Sequence, residues 1–386
     1  MIGDRLPRSR LASLGIIVLM LGVAGTSDVA AARPAEVDAE LAAKLQVRLD
    51  RWRVNHRAPG VAAAIRLPDG SQWVGTSGTK TVGRSAQQVQ PGTPFAVASL
   101  TKTFVATLIL QLNEEGKLRL GDRLSTWLPK YPRANKITIR MLLGHRSGIF
   151  DYFAHPLYER KVFGRPTHRW KIGEILKLSG PAYCAPGRCY RYSNTNYVLL
   201  GAIIRKVTGS SVARNIRDRF LQPLGLSDTF FQGQEAIGKF PAKGYWARSR
   251  GHIGFSDGSR LRPNTSAATV AHAAGALLSS ARDISDWQDA LLSGEVLSPW
   301  SLKQMTTFQP GSGYGLGMRV AYLDGIRGLG HGGSLRGFVS IMYRLPDDDL
   351  DVVVLTNLGR TSIQGLADSL TRVTLKSLEP QAPVDP

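Results

Sequence analysis

The stretch 104–112 limits what this chain can become more than any other part of it. Phe104, Val105, Ala106, Leu108, Ile109, Leu110 and Leu112 cover nearly every side of a helical projection. A helix with no polar face has to be buried inside a layered core. Its start carries Ser99-Leu100-Thr101-Lys102, and Gly116 supplies its stop. Residues three apart on a helix share a face, so Ser99 and Lys102 form a hydroxyl–amine pair at a buried helix start. A lysine held there loses hydration, its neutral form gains population, and it accepts the serine proton. The helix N-terminus favours an alkoxide or oxyanion beside Ser99. A rival, Ser77-Gly78-Thr79-Lys80, lies in a segment that reads as strand and turn. Side chains three apart on a strand point to opposite faces, so that pair shares no proton.

The sequence on either side reads as strands and helices. Residues 60–67 and 71–77 flank Pro68-Asp69-Gly70, a hairpin signal, and Val37, Leu41, Leu45, Leu49 and Trp52 mark an amphipathic helix over 36–55. Residues 120–270 are richer in turns, with helices expected at 172–178 and 197–207 and a long polar loop over 240–268. Helical periodicity resumes at 280–292, strands are expected at 315–322, 337–345 and 350–356, and 363–378 is a closing helix before a short tail. These elements predict an α/β chain of the α+β kind, with an antiparallel sheet flanked by helices. Segments 33–118 and 275–386 build the sheet, and the mostly helical insertion 119–274 forms an all-helical subdomain beside it. A cleft lies between the two parts of this single catalytic domain.

Residues 1–32 read as an export leader. Arg5, Arg8 and Arg10 form its basic head, the 12 residues 14–25 its apolar middle, and Ala30-Ala31-Ala32 its cleavage site. A membrane anchor is the alternative, but a span needs about 20 apolar residues. The expected location is secreted or periplasmic, with no span after cleavage. Without residues 1–32 the chain keeps 46 basic and 27 acidic side chains, a net charge of +19. Such a surface attracts anionic cell-envelope polymers; solubility alone is the bland alternative. The basic residues are scattered with no zinc-finger or RNA-binding signature, so nucleic acid is not an expected partner. The two cysteines, Cys184 and Cys189, bracket Ala-Pro-Gly-Arg. In an oxidising compartment they close a small loop as a disulfide; two free thiols is the other reading.

Two further motifs carry chemistry. Of eleven tyrosines, only Tyr192 is followed two positions later by asparagine, in Tyr192-Ser193-Asn194. A tyrosine near a lysine shuttles protons, and an asparagine NH₂ holds a substrate carbonyl. His331-Gly332-Gly333-Ser334 combines small residues with backbone N–H groups able to face an oxyanion. The competing His252-Ile253-Gly254 falls in the expected loop region.

Taken in order, the three motifs resemble the serine β-lactamase and penicillin-binding superfamily, in the branch of class C β-lactamases, secreted D-alanyl-D-alanine carboxypeptidases and related esterases. The likeness covers nearly all of 55–360 and includes Leu142-Leu143-Gly144-His145-Arg146-Ser147-Gly148, Pro223-Leu224-Gly225-Leu226 and Tyr314-Gly315-Leu316-Gly317. It implies that Ser99 attacks a carbonyl and forms an acyl-enzyme, with Lys102 and Tyr192 handling protons. It also implies an oxyanion hole from the N–H groups of Ser99 and Ser334, substrate-binding positions at His331 and Gly333, and an Asn194 that orients the acyl side chain. Arg319 occupies the place of the arginine that binds a terminal carboxylate in the carboxypeptidase branch. His331 stands where lactamases of the superfamily usually carry lysine, and an imidazole is mostly neutral at pH 7. That weakens the lactamase reading and fits carboxypeptidase or esterase relatives, and the leading expectation is a D-alanyl-D-alanine carboxypeptidase acting on peptidoglycan stem peptides. The alternatives are an esterase, a class C-like β-lactamase, or a non-catalytic penicillin-sensing or wall-binding protein. No cofactor or metal is implied: the seven histidines are dispersed and no His-Glu-x-x-His occurs.

Overall fold

Alternation of side chains along two central strands sets the layers. Strand β1 (Gly60–Arg66) is buried at every position. So is Leu350–Thr356, its antiparallel neighbour. In β1, Val61, Ala63 and Ile65 join one apolar cluster, while Ala62 and Ala64 join another. Both faces of the sheet are therefore covered, which is why these strands read as unbroken apolar runs. The computed structural model describes residues 34–248, 251–255 and 265–379, so the leader 1–32 and the tail lie outside the described residues.

Further strands are β2 (Gln72–Thr81), β3 (Gln87–Gln88), β4 (Gly244–Arg248), β5 (Gly251–Phe255), β6 (Arg319–Leu323), β7 (Ile326–Leu335), β8 (Phe338–Leu345) and β9 (Leu350–Thr356), with short strands of two or three residues at Phe95–Ala96, Phe230–Phe231, Leu277–Ser279 and Leu358–Gly359. The main sheet has seven strands in the order β3-β2-β1-β9-β8-β7-β6, all antiparallel. The β1–β2 turn is the Pro-Asp-Gly one: Gly70 has φ +82°, and Asp69 Oδ1 accepts from Ser71 N at 2.8 Å. Helices α1 (Ala39–Asn55) and α5 (Gln364–Leu378) cover one face through Leu41, Leu45, Leu49, Leu366 and Leu370. Helix α2 (Thr101–Glu114) covers the other with α4 (Ala281–Leu292), Phe104 stacking on Trp287 at 3.8 Å. Between them in sequence, α3 (Asn194–Thr208) packs on α2 from the helical side, sharing one core with the sheet. Among the described residues no helix is long and apolar enough to cross a membrane.

Three expectations differ from the structure. Part of 240–268 is not loop but the β4–β5 hairpin, whose β4 pairs in parallel with Leu358–Gly359. Pairing with a distant segment overrides the weak local signal, and the helical subdomain is thus not all-helical. The strand expected at 315–322 starts at Arg319, because Gly317 takes φ +82° and turns the chain before it. Strand β7 escaped notice because Gly328, Gly330, Gly332 and Gly333 dilute its strand character. Its pairing with β6 runs only from Ile326 to Gly330, so the stretch beyond Gly330 has an open edge on that side.

Candidate active site

The nucleophile candidate sits on a strained turn. Ala98 holds φ +51°, a left-handed conformation that costs a non-glycine residue about 1–2 kcal/mol, and Ala98–Leu100 form a tight turn running into α2. Thr101 Oγ1 donates to Ala98 O at 2.7 Å and accepts from Leu277 N at 3.1 Å, tying that turn to the neighbouring backbone. Ser99 itself is half-buried and reachable from solvent.

Lys102 has no exposed surface. Its Nζ lies 3.0 Å from Ser99 Oγ, 2.9 Å from Asn194 Oδ1 and 2.7 Å from Ala274 O. Asn194 Nδ2 donates to the two Asp151 oxygens at 3.3 and 3.2 Å, which obliges Oδ1 to face the lysine. A neutral amine has two N–H groups and one lone pair. Asn194 Oδ1 and Ala274 O take the two hydrogens, so the lone pair is left for the Ser99 hydroxyl. Burial pulls Lys102 down to about 7, against the opposing pull of the Asp151 charge. Asn194 thus spends its NH₂ on Asp151, where the sequence suggested a hold on the acyl side chain.

Tyr192 reaches the same oxygen from the other side, donating to Ser99 Oγ at 3.0 Å. Burial pushes its phenol far above the ordinary value, so it rests protonated. Its ring lies on His145, with centroids 4.1 Å apart. His145 is fully buried and kept neutral by that burial, and its Nδ1 accepts from Ser193 N at 3.1 Å.

Strand β7 closes the third side. A Cβ on Gly333 would lie 2.4 Å from Val97 O and 3.0 Å from Ser99 N, so only glycine lets the strand come this close to the Ser99 backbone N–H. Ser334, the next residue, is exposed at the open edge. The His331 ring makes two hydrogen bonds: its Nδ1 donates to Gly332 O at 2.5 Å, and its Nε2 accepts from Tyr314 Oη at 2.9 Å. Burial pushes it down to about 3, so it carries no charge and both nitrogens are occupied. Arg319 is exposed at the start of β6, opposite Gly330, and its charge acts on Tyr190, Tyr192 and His331.

The structure therefore brings Ser99, Lys102, Tyr192 and Asn194 into one bonded cluster, with Gly333 against it and Arg319 at its rim. The rival pair is engaged elsewhere: Ser77 Oγ accepts from Arg53 Nε at 2.7 Å, and Lys80 Nζ donates to Phe240 O at 3.4 Å. His252 lies on β5 rather than in a loop. Reading the sequence missed Asp151, His145 and the Ala274 carbonyl. His145 stood inside a quoted motif and Asp151 six residues after it, but only the fold sets them against Tyr192 and Asn194.

Cys184 and Cys189 form a disulfide. Their loop is pinned by Gly187 N donating to Arg146 O at 2.8 Å, and Arg191 N then donates to His145 O at 2.9 Å. The bridge thus fixes the approach to Tyr192. A Cys184→Ser/Cys189→Ser variant is expected to lose about 2 kcal/mol of stability, the loop-closure value for so short a ring. Urea unfolding under non-reducing conditions measures this, and an unchanged midpoint would exclude a staple role.

A family model described as Beta-lactamase matches residues 35–372. The chain is 32% identical over 235 residues to the Bacillus subtilis protein PbpX, an alignment covering 61% of this chain and 55% of that protein's length. It is 29% identical to penicillin-binding protein 4 of Amycolatopsis lactamdurans, over 81% of this chain and 84% of that one. A solved D-stereospecific amidohydrolase from Streptomyces sp. superposes with a TM-score of 0.72 at 30% identity, covering 88% of this chain and 99% of the other.

Proposed function

From the premise that this chain belongs to the beta-lactamase family, we propose that it is an exported serine hydrolase, most specifically a D-alanyl-D-alanine carboxypeptidase of peptidoglycan stem peptides. The observation that carries the hydrolase reading is the meeting of Lys102 Nζ and Tyr192 Oη, each 3.0 Å from Ser99 Oγ. Ser99 Oγ attacks the peptide carbonyl carbon and passes its proton to the Lys102 lone pair. The tetrahedral oxyanion sits between the N–H groups of Ser99 and Ser334, at the open edge of β7. Tyr192, resting as a phenol, gives its proton to the departing nitrogen and is reprotonated from the Lys102 side. Water then cleaves the acyl-enzyme by the same proton path in reverse.

The carboxypeptidase assignment rests on charge. With His331 neutral, the cation at the cleft rim is Arg319, which suits a substrate ending in a free carboxylate. A second reading, an amidase or esterase acting on D-configured substrates, draws on the Streptomyces neighbour, described as a D-stereospecific amidohydrolase. Release of D-alanine from a diacyl-lysyl-D-Ala-D-Ala peptide, compared with turnover of D-amino acid amides, p-nitrophenyl esters and nitrocefin, separates the two. Arg319→Gln is expected to lower kcat/KM for the carboxylate peptide by about 10–100-fold, the worth of one charge-assisted contact, and to leave ester turnover nearly unchanged. Equal losses on both substrates would remove Arg319 from carboxylate recognition. Export is proposed on the leader-like residues 1–32, and detection of mature protein starting near Arg33 in a culture or periplasmic fraction tests it.

A further inference from the structure

A cavity of about 770 Å³ opens in the helical part of the molecule, away from the catalytic cluster. Ser99, Lys102 and Tyr192 do not line it. Its body is apolar, formed by Trp127, Leu128, Tyr131, Ile175, Leu176 and Leu178. Its rim carries four cations, Lys130, Arg133, Lys177 and Lys206, all exposed, and no Asp or Glu is among the lining residues. Among the described residues none of the four has a carboxylate partner; Arg133 instead donates to Cys184 O at 3.4 Å.

An apolar cavity of this size falls in the range that buries one small-molecule ligand. The unopposed cations at its mouth set the sign of the head group, because a cationic amphiphile would be repelled and a neutral chain would leave those charges without a partner. We propose that this cavity binds a single-chain amphiphile with an anionic head, a long-chain alkyl carboxylate. The alkyl chain lies along Trp127, Leu128 and Ile175, and the carboxylate meets the lysines at the rim. The back wall of the cavity is 147–150, whose Phe150 carbonyl accepts from Thr195 Oγ1 at 2.7 Å and from Ser193 Oγ at 3.2 Å. The ligand thus rests one layer behind the segment that carries Asp151 and Asn194, without entering the cleft.

Titration of cis-parinarate, a fluorescent 18-carbon carboxylate, into the full chain carrying Ser99→Ala tests this without any turnover. One saturable site is expected, emptied by laurate but not by equimolar dodecyltrimethylammonium. Lys177→Glu/Lys206→Glu is expected to weaken laurate binding at least tenfold. Ser179→Trp, an exposed lining position, is expected to fill the mouth and abolish it. Both variants change exposed residues and should melt with the parent protein, which keeps their loss of binding interpretable. Absence of saturable binding, equal displacement by the cationic amphiphile, or unchanged affinity in both variants would overturn the assignment.

Discussion

Replacing Ser99 with alanine is expected to stop covalent capture of a fluorescent penicillin altogether and to lower turnover of any acyl substrate by on the order of 10⁶-fold. The size of the effect follows from what the hydroxyl does. No other described hydroxyl lies between a buried lysine amine and a buried phenol, so no neighbour can take over the attack. The backbone N–H groups would survive the change, and binding with oxyanion stabilisation would leave a residual rate above that of water. Folding should be preserved. Ser99 is half-buried at the mouth of the cleft, so water can replace its oxygen as partner for Lys102 and Tyr192, and stability should move by no more than about 1 kcal/mol. Intact-mass analysis after incubation with a β-lactam reads the result directly. A mass increment in the Ser99→Ala protein equal to that of the parent would place the nucleophile elsewhere and dissolve the proposed mechanism. Loss of the increment together with loss of the parent's melting transition would call for Ser99→Cys, which keeps a nucleophile of similar shape and should restore slow labelling.

Much of the fold was legible because burial leaves a periodic trace. Leu41, Leu45 and Leu49 recur at helical spacing and all three are buried on one side of the sheet. Phe104 to Leu112 is apolar nearly all round, and the structure buries every residue of it except Gln111. Strand β7 was not legible, although it carries the third motif. Gly333 lets the strand approach Val97 and Ser99, Gly330 lets it lie against Met342 O, and the same smallness erases the β-branched pattern by which strands are recognised. The β4–β5 hairpin was hidden for a different reason: its order comes from pairing with Leu358–Gly359, more than a hundred positions away. The site divides along the same line. Ser99 and Lys102 are one helical turn apart, so local geometry predicts their contact. Asp151, His145 and Ala274 O reach Asn194, Tyr192 and Lys102 only because the fold brings distant segments together, and no spacing in the sequence encodes their approach. The partners of the His331 ring are likewise set by the fold: Tyr314 and the Gly332 carbonyl lie at its two nitrogens.

Acylation should rise with pH through a midpoint near 7 and level off above it, because Ser99 can hand over its proton only to an uncharged Lys102. The direction is set by which form is active. Below the midpoint the ammonium has no lone pair, and above it the amine accepts. Neighbouring groups do not blur this window: burial holds His331 down at about 3, keeps His145 neutral, and keeps the Tyr192 phenol protonated. Lys102→Met, which keeps length and removes the base, is expected to cost about 10²–10⁴-fold in acylation rate and to erase the pH dependence of what remains. Stability carries the same signature with a definite sign. Lys102 ionises at about 7 when folded against an ordinary 10.5, so between those values the unfolded chain holds a proton that the folded chain lacks. Its contribution to stability therefore grows as pH rises from 7 towards 10.5, and Lys102→Met should flatten that slope. Asp151 supplies an independent check. Its charge raises the Lys102 value, so Asp151→Asn should move the acylation midpoint to lower pH while retaining measurable activity. Stopped-flow acylation by nitrocefin or a thioester between pH 5 and 10 measures all three proteins. A rate that is flat or falls across neutral pH, or a midpoint that moves upward in Asp151→Asn, would mean that Lys102 is not the base.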